Sequence, residues 1–187
     1  MRIALFGTSA DPPTAGHQSI LCWLAQHYDQ VAVWASDNPF KSQQTPLAHR
    51  KAMLSLLIRD LKVPGGKIAL EPELSDRRSL ISLQKARSRW GESAHYTLVI
   101  GSDLVEQIQT WYRAAELFQL TQLLIIPRPH YPILPSSLAH LQKLGADCQI
   151  ADLQAPAVSS TDYRQTRDED FIPAPVQQYI QQEHLYL

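Results

Sequence analysis

The sequence predicts an α/β fold, a doubly wound parallel sheet followed by a helical tail, and three observations carry that prediction. Five short apolar runs and a weaker sixth recur along the 187 residues. Amphipathic stretches of helical period separate them, so strands and helices alternate. Residues with chemical character cluster just after the runs, which is where sheets of this kind take their ligands.

The runs span residues 2–6, 30–35, 67–70, 96–100 and 122–126, with the weaker one at 148–151. They lack strict alternation, as expected of strands buried on both faces. Helical stretches fill 16–27, 46–61, 79–90, 114–120 and 136–144. In the second of these, Leu54, Leu57, Ile58 and Leu61 repeat at i, i+3, i+4 and i+7, one stripe of a helix. The proline-rich stretch 127–135 is a loop after a strand. Beyond about residue 155 the alternation stops. Ser159, Ser160 and Thr161 are good helix caps ahead of Asp162, Tyr163 and Arg164. Pro173 suits the start of a last helix with Val176, Tyr179 and Ile180 on one face. Residues 156–187 are therefore read as a helical C-terminal subregion folded onto the carboxyl edge of a Rossmann-like sheet, within a single domain spanning 1–187.

At 44% apolar and 19% charged residues, the chain has an ordinary globular composition. A net charge of −1 argues against a nucleic-acid or membrane partner. Cys22 and Cys148 have no metal-like spacing, so no disulfide framework is expected and a cytoplasmic location is. No apolar run approaches the roughly 20 residues of a bilayer-spanning helix. A homo-oligomer is compatible with all of this.

Residues 7–17 read GTSADPPTAGH directly after the first run: a strand end, a turn of small residues and prolines, and a helix start. A helix N-terminus has unpaired N–H donors and roughly half a positive charge, so it suits phosphate. The segment is neither GxGxxG nor the lysine-ended GxxxxGKS or GxxxxGKT turn. What it offers is Thr14-Ala15-Gly16-His17, a hydroxyl and an imidazole at the helix start. An isolated histidine there most often caps or packs; the Thr-x-Gly-His context gives His17 its phosphate-facing reading. Asn38-Pro39-Phe40-Lys41 follow the second run, Gly101-Ser102-Asp103 and then Trp111 follow the fourth, and Arg128 follows the fifth. Strand ends pointing one way would gather two cations, an aspartate and an indole beside the turn. Taken singly, Lys41 and Arg128 fit surface cations and Trp111 a core anchor. The other histidines (His27, His49, His95, His130, His140, His184) lack ligand spacing and read as structural or exposed.

Thr14-Ala15-Gly16-His17 resembles the (H/T)xGH signature of the nucleotidylyltransferase superfamily. The remaining motifs resemble the bacterial nicotinate-nucleotide adenylyltransferase family. IGSDLVEQIQTWY at 100–112 is similar to its GxDxLxxxxxW segment, and IPRPHYPI at 126–133 to its RPGY segment. VSSTDYRQ at 158–165 looks like ISSTxIR, PAPVQQYIQQEHLY at 173–186 like PxxVxxYIxxxxLY, and HRKAML at 49–54 echoes an RxxML helix. These matches run in family order over nearly the whole chain.

The resemblance implies transfer of AMP from ATP to nicotinate mononucleotide, giving deamido-NAD and pyrophosphate in NAD biosynthesis. His17 would donate to an ATP phosphate oxygen with Thr14 beside it. Lys41 and Arg164 would hold the outer phosphates, and Ser159, Ser160 and Thr161 would offer a second helix start. Gly7, Ser9, Ala10, Gly16, Gly101 and Arg128 would complete the ATP site, with Asp103 accepting from the ribose or orienting the basic cluster. Trp111 would stack on the pyridine ring, with Asn38 and Arg78 at the same end. Magnesium would come with ATP, held by phosphates and water.

The chain departs from the family at three places. Thr14 stands where histidine is commoner; threonine is the choice of pantetheine-phosphate adenylyltransferases. Arg77-Arg78-Ser79-Leu80-Ile81-Ser82-Leu83 replaces a SYTxxTL-like segment that meets the pyridine carboxylate, and Thr8 follows Gly7 where a glycine is expected. Nicotinamide-mononucleotide or pantetheine-phosphate adenylyl transfer, or a catalytically silent nucleotide sensor, are the alternatives. A class I aminoacyl-tRNA synthetase is disfavoured, because the chain has no KMSKS loop or tRNA-binding extension.

Overall fold

The computed structural model of the protein describes residues 1–37, 44–63, 67–153, 156 and 158–186. Six parallel strands form one sheet: β1 Arg2–Thr8, β2 Gln30–Ala35, β3 Ile68–Leu70, β4 His95–Gly101, β5 Gln122–Ile126 and β6 Asp147–Ile150. Their order is β3-β2-β1-β4-β5-β6. The chain winds outward from β1 to β3, then returns to the centre and winds outward the other way from β4. A crevice therefore opens between the carboxyl ends of β1 and β4, the switch point of a doubly wound sheet.

The helices α1 Ala15–His27, α2 Leu47–Asp60, α3 Ser79–Trp90, α4 Ala114–Leu120 and α5 Pro135–Lys143 alternate with the strands. Because successive side chains of a strand face opposite ways, the sheet feeds two cores. Ile3, Leu5, Leu98 and Ile125 join Leu83, Leu117 and Leu141 of α3, α4 and α5. Ala4, Phe6, Val33 and Leu124 join Leu24 of α1 and Leu54 and Leu57 of α2 on the other face. Fully burying one such leucine contributes about 1.5–3 kcal/mol.

All six apolar runs are strands, but β1 continues past its run to Thr8. Its last residues pair with β2, Gly7 opposite Trp34 and Thr8 opposite Ala35. A Cβ on Gly7 would lie 2.7 Å from the Trp34 ring. Glycine is therefore required at 7 by indole packing, and that close approach carries β1 far enough to deliver the Thr8 side chain to the crevice.

The tail contains α6 Ser160–Thr166 and α7 Ala174–Gln182. Tyr163, Val176 and Ile180 belong to the same buried cluster as Leu24 and Leu54. On α2, His49 Nδ1 lies 2.9 Å from the Tyr179 hydroxyl. So α6 reaches the carboxyl edge, as shown by the contacts of Ser160 and Arg164 below, while α7 covers α2. Among the described residues, no helix is long and apolar enough to cross a membrane.

Candidate active site

The turn after β1 is built from its caps upward. Thr14 is the N-cap of α1, and His17 holds the third helical position. Glutamate or glutamine usually reaches back from that position to the cap N–H; here His17 Nδ1 accepts from Thr14 N–H at 3.1 Å. Thr14 Oγ1 stands 3.0 Å from the same nitrogen. A backbone N–H can only donate, so Nδ1 carries no proton and the ring proton of the neutral imidazole sits on Nε2. His17 Nε2 lies 2.9 Å from Thr8 Oγ1 and donates to it. Thr14 is 0% exposed. Its hydroxyl thus faces the imidazole, beside His17 as the sequence places it.

Gly16 marks a second close approach. A Cβ there would lie 3.0 Å from the carbonyl oxygen of Val158, so the first turn of α1 abuts the strand-like entry to α6. Ser159 caps α6, accepting from Asp162 N–H at 3.1 Å and donating to Asp162 Oδ2 at 2.7 Å. That hydroxyl bond holds the Asp162 carboxyl below its ordinary range. Ser160 Oγ donates to Pro12 O at 2.8 Å, Arg164 Nη1 to Asp11 O at 2.5 Å, and Arg164 Nη2 to Thr161 Oγ1 at 3.3 Å. The expected cluster of Ser159, Ser160, Thr161 and Arg164 is thereby brought to the turn, clasping its backbone at 11 and 12.

Across the crevice, a Cβ on Gly101 would lie 2.3 Å from Asp103 Oδ1 and 2.7 Å from Arg128 Cδ. Glycine lets those side chains cross the end of β4, where Arg128 Nη1 meets Asp103 Oδ2 at 3.0 Å. Ser102 Oγ accepts from Arg128 N–H at 3.0 Å and donates to Tyr131 O at 2.8 Å, which pins the loop after β5. Asp103 Oδ1 and Trp111 Nε1 are buried atoms without a hydrogen-bond partner among the described residues. Trp111 is half-buried against the α3–α5 core. The Arg78 guanidinium lies 4.3 Å from the ring centroid of Tyr112, the residue after Trp111. Arg78 and the Trp111 loop are therefore neighbours, and Arg78 also lines an open cleft of ≈ 590 Å³ together with Asp37, Lys51, Ser75 and Arg77. Asn38 and Lys41 lie outside the described residues.

Sequence reasoning missed the scaffold under the turn. Arg50 is 2% exposed and donates through Nε to Thr45 O at 2.8 Å, and through Nη1 to Ser9 O at 3.0 Å and Ser36 O at 2.7 Å. Burial pulls its pKa down, opposed by the charges of Asp11 and Asp37. Asp11, 4% exposed, accepts from Thr45 N–H at 3.3 Å and from the Tyr186 hydroxyl at 2.6 Å. One cation thus ties the ends of β1 and β2 to the entry of α2. Its only signal in the sequence is the arginine of HRKAML, read as part of a helix.

Comparison with known proteins agrees with this geometry. The Cytidylyltransferase-like family model matches residues 5–166. A Synechocystis protein named "Probable nicotinate-nucleotide adenylyltransferase" is 53% identical, with 100% of this chain and 99% of that protein covered. A relative of the same name from Chlorobium phaeobacteroides is 28% identical over 100% of this chain and 99% of its own. Among solved structures, the Plasmodium falciparum nicotinic acid mononucleotide adenylyltransferase complexed with NaAD superposes with a TM-score of 0.84 at 20% identity, covering 99% and 97% of the two chains. The same enzyme complexed with APC gives 0.81 at 21% identity, covering 99% and 96%. These structures share the fold.

Proposed function

Because the chain belongs to the nicotinate-nucleotide adenylyltransferase family, we propose that it transfers AMP from ATP to nicotinate mononucleotide, giving deamido-NAD and pyrophosphate. The observation that carries this reading onto the chain's own atoms is the His17 Nε2–H, held in the first turn of α1 and donated to Thr8 at the end of β1. An oxygen of the mononucleotide 5′-phosphate attacks the α-phosphorus of ATP. The bond to the bridging oxygen breaks, and its electrons leave with pyrophosphate. Such a transfer needs positioning and charge stabilisation more than a covalent nucleophile.

In this reading a phosphate oxygen takes up the Nε2 hydrogen now accepted by Thr8, and Thr14 acts by keeping that hydrogen on Nε2. Backbone donors of Ser9, Ala10 and the first turn of α1 face the phosphates, while Gly7, Gly16 and Gly101 serve by permitting close packing. Arg164, Arg128 and Lys41 supply positive charge, and Asp103 orients Arg128. Trp111 stacks on the pyridine, with Asn38 and Arg78 beside it. Among the described residues no group of three His, Cys, Asp or Glu side chains gathers as a metal site. Magnesium would come with ATP, held by its phosphates and water, where it would offset their charge. A cytoplasmic enzyme of one domain, with small molecules as its partners, completes the reading.

Pyrophosphate release from ATP and magnesium tests it, with nicotinate mononucleotide, nicotinamide mononucleotide and phosphopantetheine offered in turn. Nicotinate mononucleotide is expected to give the highest kcat/KM. Release with phosphopantetheine alone would overturn the assignment.

A further inference from the structure

One contact to the phosphate turn comes from the far end of the described chain. Tyr186 donates its phenol hydrogen to Asp11 Oδ1 at 2.6 Å, across 175 positions of sequence. Both sides of that bond sit on strained backbone. Ala10, just before Asp11, has φ 46°, and Tyr186 has φ 59°. Non-glycine residues keep such a conformation only where their surroundings over-determine it, and they gather at ligand clamps.

The surroundings here are specific. The Tyr186 ring stands edge-on to Tyr163, with centroids 6.0 Å apart and an interplanar angle of 87°. Tyr163 adjoins Arg164 in α6, whose guanidinium holds the Asp11 peptide oxygen. A short helix and one distant phenol therefore grip the same residue, one by its backbone and the other by its carboxylate. Burial first, then the neighbouring Asp11, pushes the phenol pKa up, so the hydroxyl remains a donor.

We propose that Tyr186 is a positioning residue for the ATP site: its hydroxyl fixes the Asp11 carboxylate, and through it the turn from Ser9 to Thr14 relative to Arg164 and α1. The inference rests on ATP phosphates binding at that turn. Tyr186 acts through Asp11 and not on the nucleotide itself.

Tyr186→Phe keeps the ring on Tyr163 and removes only the donor, which makes it the informative variant. Losing a hydrogen bond to a charged group should raise KM for ATP about tenfold. KM for nicotinate mononucleotide should stay within about twofold. Asp11→Ala, which also removes the acceptor of Thr45 N–H, should show at least the same split, and the double variant should be little worse than Asp11→Ala alone, because the phenol then has no carboxylate left to hold. If Asp11→Ala does not fold, calorimetric binding of a non-hydrolysable ATP analogue to Tyr186→Phe decides alone. Wild-type ATP affinity in Tyr186→Phe, an equal rise in both KM values, or additive losses would overturn the proposal. A wild-type protein that binds the analogue but transfers no AMP would refute the assigned reaction, and the binding comparison would still decide Tyr186.

Discussion

At the phosphate turn Thr14, Arg50 and Asp11 are 0%, 2% and 4% exposed, whereas at the acceptor end Arg77, Arg78 and Tyr112 stand in solvent. The first region is held from several directions: two threonines on the imidazole, one arginine on three carbonyls, and one phenol on a carboxylate. The second is held by a cation over an exposed ring and by the Arg77–Asp37 pair at 3.1 Å. Preorganised donors need no reorganisation when charge develops on the transferring group, so rigidity is useful where phosphate is handled. Exposed ion pairs contribute only ~0–1 kcal/mol. Under the proposed reaction the rigid region would hold the phosphates, and the exposed side chains would be the part of the site most easily exchanged.

Removing the scaffold of the rigid region should have the largest effect. Arg50→Met leaves the carbonyls of Ser9, Ser36 and Thr45 without their donor and removes one of the positive charges near Asp11. Breaking a buried charge arrangement in this way costs about 3–5 kcal/mol, which denaturant unfolding would measure; a loss under about 1 kcal/mol would mean that the turn stands without Arg50. His17→Ala removes the donor, and with it the acceptor of Thr14 N–H. A fall in kcat of about 10²–10³ is expected, by analogy with loss of one oxyanion donor, and a near-wild-type rate would remove His17 from the mechanism.

The acceptor end should respond more weakly and in a different parameter. Arg78→Gln should lower the kcat/KM ratio of nicotinate to nicotinamide mononucleotide by up to about fivefold, the scale of one exposed charge contact. The rate with saturating ATP and nicotinate mononucleotide should hardly change. An unchanged ratio would leave discrimination to groups other than Arg78.

A pH-dependent effect concerns the carboxyl pair Glu71 and Glu73 near that cleft. Burial, then hydrogen bonding and charge from Glu73, push the Glu71 carboxyl from 4.5 up to about 7, while Arg89 pulls it down. A carboxyl raised on folding keeps a proton that the unfolded chain has already released. Its contribution to stability is therefore fully present below the unfolded value and is lost as pH rises through about 7. Glu71→Gln should flatten the fall in Tm between those values, and an identical slope in the variant would show that Glu71 does not titrate there.

The strands and helices were legible because buried parallel strands and amphipathic helices write their periods into the sequence. The extension of β1 to Thr8 was not, because Gly7 ends the apolar run and its reason is an indole on the neighbouring strand. Candidate residues were legible at strand ends: Ser160 and Arg164 meet the turn at residues 12 and 11, and Arg128 meets Asp103 beyond β4. Thr14 stands at the predicted place, with its hydroxyl on His17. Roles set by burial were harder to read. Contacts between distant segments, such as Tyr186 with Asp11, leave no local pattern at all, and neither does an arginine whose partners are carbonyls of three different loops.

His17 is held as a neutral donor with its proton on Nε2, the hydrogen that the proposed reaction would present to a phosphate oxygen. Nitrogen-15 chemical shifts of the His17 ring test it directly, measured at neutral pH with and without a non-hydrolysable ATP analogue. A protonated-type shift at Nε2 and an unprotonated-type shift at Nδ1 are predicted in the free protein, with Nε2 alone moving when the analogue binds. A proton on Nδ1, or ring shifts indifferent to the nucleotide, would contradict it.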